Sequence, residues 1–219
     1  MTASAEAGWF ETLRQRMVDH DLRARGISDE RVLQAMQHVS RHEFVPEAYR
    51  TEAYEDHPLP IGEGQTISQP YIVAIMLEAL ALQPADTVLE VGTGSGYVTA
   101  LLAELTARVF SVERYPALAA EARQILSSLG YKNVNVVVGD GAAGFAASAP
   151  YDAILVSAAT PVVPQALLSQ LRDEGGRMIL PVGPAESQQL QLIRTQAGRA
   201  VVTLCGACRF VPLVSGPPT

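Results

Sequence analysis

Lysine is nearly missing from this chain of 219 residues: Lys132 is the only one, and arginine carries the rest of the positive charge. With a net charge of −7 and a pI near 5.1, there is no basic surplus from which to build a phosphate-binding face. That excludes the ordinary nucleic-acid enzyme, so no nucleic-acid partner is expected. The lysine deficit itself is read as genome base composition. Cysteine is equally scarce, with Cys205 and Cys208 forming a lone C-x-x-C. In a thioredoxin-like protein that motif opens a helix after a strand, whereas here it falls inside an expected strand. No other cysteine is present and the histidines are scattered at positions 20, 38, 42 and 57, so no metal site is expected and the thiols are read as reduced. Long apolar runs are missing too. No segment approaches the ~18 uninterrupted apolar residues of a membrane span, and the opening residues lack a basic stretch leading into an apolar one. The expectation is a cytoplasmic protein without a membrane partner.

What is present begins at Val88-Leu89-Glu90-Val91, a branched apolar strand that runs into Gly92-Thr93-Gly94-Ser95-Gly96-Tyr97. Glycines let such a turn tighten and let backbone N–H groups approach a ligand with no Cβ in the way. A dinucleotide fingerprint has its third glycine one residue later, where Tyr97 stands, so the register disfavours a pyrophosphate. Glu90 points the same way, because a carboxylate repels phosphate and attracts an ammonium or sulfonium. Two more acids close later strands. Glu113 lies 21 residues after Gly92, where α/β folds place the carboxylate that takes ribose hydroxyls, and Asp140 sits in Val138-Gly139-Asp140-Gly141. Three acids at successive strand ends describe one crevice. A ligand with a ribose, a base and an amino-acid cation but no phosphate is S-adenosylmethionine.

Each acid also has a plainer reading. Backbone N–H groups of the turn could satisfy Glu90, Glu113 could cap the next helix, and Asp140 could be a turn residue. Arg209 could hold a substrate carboxylate or close a surface ion pair.

Along the chain, 48% hydrophobic content suffices for one full core. A single domain over 1–219 is expected, with N-terminal helices in 8–52, an active-site loop in 53–70 and an α/β core in 71–214. Apolar residues at threes and fours predict the N-terminal helical layer, and Ser28 or Asp29 is expected to cap its second helix. The loop is too long for an ordinary connector, and its apolar Leu59, Ile61 and Ile67 favour an ordered, functional segment. Beyond the apolar helix at 71–82, strands near 88–91, 109–112, 134–138, 153–156, 177–180, 189–194 and 200–210 alternate with helices at 97–105, 116–129 and 164–171. This pattern predicts an α/β fold with a doubly wound, mostly parallel sheet that binds ligands at the carboxyl ends of its strands.

The run Gly62-Glu63-Gly64-Gln65-Thr66-Ile67-Ser68-Gln69-Pro70, taken with residues 88–97, resembles the protein-L-isoaspartate O-methyltransferases. Similar patterns recur at Ser111-Val112-Glu113-Arg114, Gly139-Asp140-Gly141, residues 175–183 and Arg209-Phe210-Val211-Pro212-Leu213, so the likeness spans residues 22–213. The glycine turn is common to many methyltransferases; the Thr66-Ile67-Ser68 loop with the 209–213 run is far more specific. The resemblance implies a Rossmann-like fold and methylation of the free α-carboxylate of L-isoaspartyl residues, with D-aspartyl a further acceptor. The ester then closes to a succinimide, so the implied partners are isoaspartyl-containing proteins and peptides. It also implies that Ser68 is the active-site residue. Gln65, Thr66, Ile67, the turn residues Gly92, Gly94, Ser95 and Gly96, then Glu113 with Arg114 and Asp140 with Gly141, would line the cofactor. Two departures stand out: Val98 where many bacterial members carry Gln, and Phe145 where many carry Trp.

A carboxylate acceptor, whose pKa in water is near ~3.9, is already ionised at neutral pH and needs no general base. Ser68 is therefore read as a donor that orients this anion, and its plainer reading, shared with Thr66, is a cap on the helix near Pro70. A relative dedicated to one peptide, a nicotinamide oxidoreductase and a non-catalytic binding protein are the competing readings.

Overall fold

The computed structural model describes residues 3–216. Helices α1 (Ala3–Arg16) and α2 (Glu30–His38) form the N-terminal layer, joined by a π-helical segment, Met17–Leu22, and a short 3-10 turn. Met17, Leu22, Val32, Leu33 and Met36 turn inward, as their spacing predicts. Asp29, rather than Ser28, caps α2: its carboxylate accepts from the N–H of Arg31 at 2.8 Å and of Val32 at 3.4 Å. Ser28 instead donates its own N–H to Glu78 at 2.7 Å.

The loop expected at 53–70 contains a small hairpin, β1 (Leu59–Gly62) and β2 (Gln65–Ile67), paired antiparallel. Its turn holds Glu63 and Gly64 at φ +50° and +66°, the positive values that short hairpin turns require. Leu59, Ile61 and Ile67 are buried and anchor it. Helix α3 (Pro70–Leu80) follows, with proline in its first turn and Gln69 at the cap position, its side chain making no bond to the helix. Asp56 reaches over instead. It accepts the N–H of Tyr71 at 2.9 Å and the side-chain amide of Gln69 at 2.8 Å, and it pairs with Arg25. One loop carboxylate thus joins the N-terminal layer, the hairpin's exit and the start of α3.

The core comprises β3 (Thr87–Val91), α4 (Tyr97–Leu105), β4 (Arg108–Glu113), α5 (Pro116–Ser128), β5 (Val134–Val138), β6 (Ala153–Val156), α6 (Gln165–Leu168), β7 (Arg177–Val182), β8 (Gln188–Gln196) and β9 (Arg199–Cys208). The seven core strands lie in the order β5-β4-β3-β6-β7-β8-β9. The first five are parallel, and β8 and β9 run antiparallel to their neighbours. Strand order reverses at β3, which lies between β4 and β6, so the crevice of this sheet opens where the glycine turn begins. Alternate residues of the strands feed two apolar clusters, with Val88 in one and Leu89 and Val91 in the other.

Two elements are shorter than the sequence predicts. The helix expected at 164–171 is the four-residue α6, in which only Leu167 is buried, and the buried Leu171 beyond it is drawn into a bridge with Tyr151. Strand β9 stops at Cys208. Beyond it the side chain of Gln188 replaces the ladder, accepting the N–H of Phe210 at 2.7 Å and donating to its carbonyl at 3.1 Å. No helix among the described residues is long and apolar enough to cross a membrane.

Candidate active site

Strand β3 delivers the chain into the turn at residues 92–96, where Gly92, Gly94 and Gly96 all have positive φ. At Gly94 a Cβ would also come within 3.2 Å of Ile61, so this glycine lets the hairpin close over the turn. Gly141 is constrained by space alone, since its Cβ would lie 2.5 Å from a methyl of Val91.

Around this turn runs a cleft. One wall is Glu113, Arg114 and Tyr115, and the other is Ser157 and Ala158 beyond β6. Residues 65–68 and 211–214 flank it. A second, broader groove lies between the exposed side of α3, at Tyr71, Ile72 and Ile75, and the chain leaving β9 at residues 207–211. Thr66, Ser68, Ser157 and Val211 line both. Ser68 stands at the junction, and its hydroxyl makes no hydrogen bond with the described residues. Neither Ser68 nor Thr66 caps α3, so the plainer reading of these hydroxyls does not hold.

Of the residues singled out from sequence, the structure brings Gln65, Thr66, Ile67, Ser68, Gly92, Gly94, Ser95, Glu113, Arg114 and Gly141 to the cleft. Glu113 is 5% exposed, and its carboxylate accepts the N–H of Gly94 at 2.8 Å and of Tyr115 at 3.0 Å. It therefore caps the following chain and faces the cleft at once. A carboxylate has about four lone-pair sites, so two N–H donors leave room for further hydroxyls.

Three residues are placed elsewhere. Gly96 begins α4 beside Ala122 and does not line the cleft. Asp140 lies beyond the lining, accepting the N–H of Ala142 at 2.9 Å and of Gly216 at 2.8 Å. Arg114 donates to the carbonyl of Gly216 at 3.1 Å, so Arg114 and Asp140 together strap the C-terminal segment over this end of the cleft. Glu90 is the clearest correction. It is fully buried beneath the turn and accepts hydroxyl bonds from Thr99 and Ser111, each 2.5 Å. Burial pushes its pKa up to about 8, against the pull of those two hydroxyls, so at neutral pH it is an uncharged acid. It does not line the cleft, so the structure does not place its carboxylate where its sequence position suggested.

Sequence reasoning missed Ser157, Ala158, Tyr97 and residues 211–214 as lining. Ser157 and Ala158 follow β6 at the ligand edge and were open to the strand-end rule. No histidine lines the cleft or the groove. His42 stacks on Phe10 at 3.9 Å between ring centres, and burial lowers its pKa. Cys205 and Cys208 are free thiols; Cys208 borders the groove, and burial pushes its thiol up to about 11, away from the reactive thiolate. Arg209 also borders the groove and makes no ion pair among the described residues, so of its two readings the surface ion pair does not hold.

A parallel sheet with its switch point at a glycine turn, an acid closing the second strand and an antiparallel final pair define a Rossmann-like methyltransferase. Known proteins narrow that class. The family model described as protein-L-isoaspartate(D-aspartate) O-methyltransferase matches residues 12–217. A protein-L-isoaspartate O-methyltransferase from Koribacter versatilis is 57% identical, over 98% of this chain and 96% of its own. A solved protein-L-isoaspartate O-methyltransferase superposes with a TM-score of 0.83 at 30% identity, covering 94% of this chain and 67% of that one. A second, from Plasmodium falciparum and solved with S-adenosyl-L-homocysteine, gives 0.81 at 25% identity over 93% of this chain and 99% of that one. The chain belongs to the protein-L-isoaspartate(D-aspartate) O-methyltransferase family.

Proposed function

We propose that the cleft beside the glycine turn holds S-adenosylmethionine, and that the adjoining groove receives a polypeptide bearing an L-isoaspartyl residue, whose free α-carboxylate is methylated. The observation that carries this reading is the meeting of cleft and groove at Ser68. The cleft suits the donor: backbone at Gly92 and Gly94 comes close without side chains, and Glu113 presents a carboxylate with lone pairs to spare for ribose hydroxyls. Relatives point the same way, since the Plasmodium falciparum protein carries S-adenosyl-L-homocysteine. Bound there, S-adenosylmethionine would supply a methyl made electrophilic by its sulfonium, for transfer to a carboxylate oxygen.

The chain's own residues have little proton chemistry to do. The acceptor is already an anion, which fits a site without histidine. Ser68 donates its hydroxyl to one carboxylate oxygen and aims the other. Thr66, Ser157 and Val211 wall the junction and thin out its water. Proximity and alignment of this kind supply roughly 7–11 kcal/mol in well-aligned systems. Methylation converts the carboxylate into an ester, which the neighbouring backbone nitrogen attacks to give a succinimide with loss of methanol.

Labelled S-adenosylmethionine with an isoaspartyl peptide and its normal aspartyl twin tests the assignment, and equal labelling of the two would overturn it. Ser68→Ala is expected to lower kcat by roughly 10- to 100-fold, the worth of a hydrogen bond to a charged group. S-adenosylhomocysteine affinity should stay within about twofold; a matching loss there would make Ser68 a cofactor-site residue instead.

A further inference from the structure

We infer that the open edge of β9 is the track on which the substrate polypeptide docks, adding as an extra strand that leads its isoaspartyl residue to Ser68. This rests on the reading of the groove as the peptide site. β9 is the last strand of the sheet and pairs on one side only, with β8. Its ten residues contain no lysine, acid or proline, and the sole charge is Arg199 at its start. Val201, Val202 and Leu204 are 46%, 51% and 64% exposed. Soluble proteins blunt such an edge with charge, proline or cover, because its unpaired N–H and C=O groups invite another chain. Here the blunting is absent along most of the strand. The register shifts only near the groove, where Gly206 lies opposite Leu190 and Leu204 opposite Gln191.

Direction supplies the second argument. β9 is antiparallel to β8, which is antiparallel to β7, so β9 runs the same way as β3. It therefore ends at the ligand edge of the sheet, and its last two residues with the chain that follows, 207–211, form one side of the groove. A chain paired along β9 is led to the junction of groove and cleft. The substrate's chemistry supplies the third. Isoaspartyl residues differ in their neighbours from one damaged protein to the next, so recognition must use what all share. Main-chain bonding along an edge strand reads N–H and C=O groups regardless of sequence, with apolar side chains adding unspecific affinity. A second copy of this chain is the competing occupant.

The test uses isoaspartyl peptides of three and of nine residues, and two nine-residue peptides N-methylated at alternate amides in one register or the other. Successive amides of a strand face opposite edges, so only one register should matter. The expected result is a KM at least tenfold lower for nine residues than for three. N-methylation in one register should bring it back to the three-residue value, and in the other register leave it unchanged, with kcat within twofold throughout. Leu204→Lys should raise KM for the long peptide and not for the short one. Equal effects of both registers, no effect of either, or a dimer in sedimentation that masks β9 would each overturn the inference. If the three-residue isoaspartyl peptide is methylated but length makes no difference, the inference falls while the proposed function stands; if no isoaspartyl peptide is methylated, the function falls first.

Discussion

Glu113→Gln is expected to raise the dissociation constant of S-adenosylhomocysteine by roughly 100-fold, which a titration calorimeter reads directly. Hydrogen bonds to a charged acceptor contribute about 1.5–3 kcal/mol each, and one to two such bonds to ribose hydroxyls account for a change of that size. The amide carries a second penalty. The carboxylate now accepts from Gly94 through one oxygen and from Tyr115 through the other. A glutamine has one acceptor oxygen, so its NH2 must face one of these N–H donors, and the turn loses an anchor. The unliganded protein should therefore melt somewhat earlier, while the ligand-dependent part of the stabilisation falls much further. A dissociation constant within threefold of wild type would remove Glu113 from the cofactor site. Asp140→Asn is the control, because Asp140 lies outside the cleft lining and acts through the C-terminal strap; it should weaken binding far less.

What the sequence made legible was the frame of the site. The strand at Val88, the glycines after it and the acid 21 residues on are local patterns, and they appear at the carboxyl edge of the sheet where the alternation of strands and helices put them. Glu90 was misread because position along a strand was used without its face. Strand residues alternate, so Glu90 shares the side of Val88, opposite the side of Leu89 and Val91. Ser111, its register partner on β4, and Thr99 on α4 enclose it there. The link that Asp56 makes to the N-terminal layer and the C-terminal strap were hidden for another reason. Asp56 works on residues up to 31 positions away, and Arg114 meets Gly216 across 102, so no local window contains both partners. Helix α6 failed in the opposite direction: its apolar run looks helical, yet tertiary pairing at Leu171 ended it early.

The buried acid has a measurable consequence. Glu90 ordinarily titrates near 4.5 and in the fold only at about 8. Between those values the native protein holds a proton that the unfolded chain has released, so unfolding is favoured increasingly as pH rises. The contribution of Glu90 is thus intact below pH 4.5, declines through the interval and is fully lost above pH 8. A difference of this size corresponds to a loss on the order of 5 kcal/mol. Glu90→Gln keeps the shape and the acceptor for Thr99 and Ser111 but has no proton to lose. Wild type and variant should have similar unfolding free energies near pH 4.5, with the variant increasingly the more stable toward pH 8 and the two curves parallel beyond it. Because Glu90 lies under the turn and is uncharged at neutral pH, the variant should bind S-adenosylhomocysteine within a few-fold of wild type. Parallel curves from pH 4.5 to 8 would show Glu90 ionised throughout. A loss of affinity matching that of Glu113→Gln would return its charge to the cofactor site.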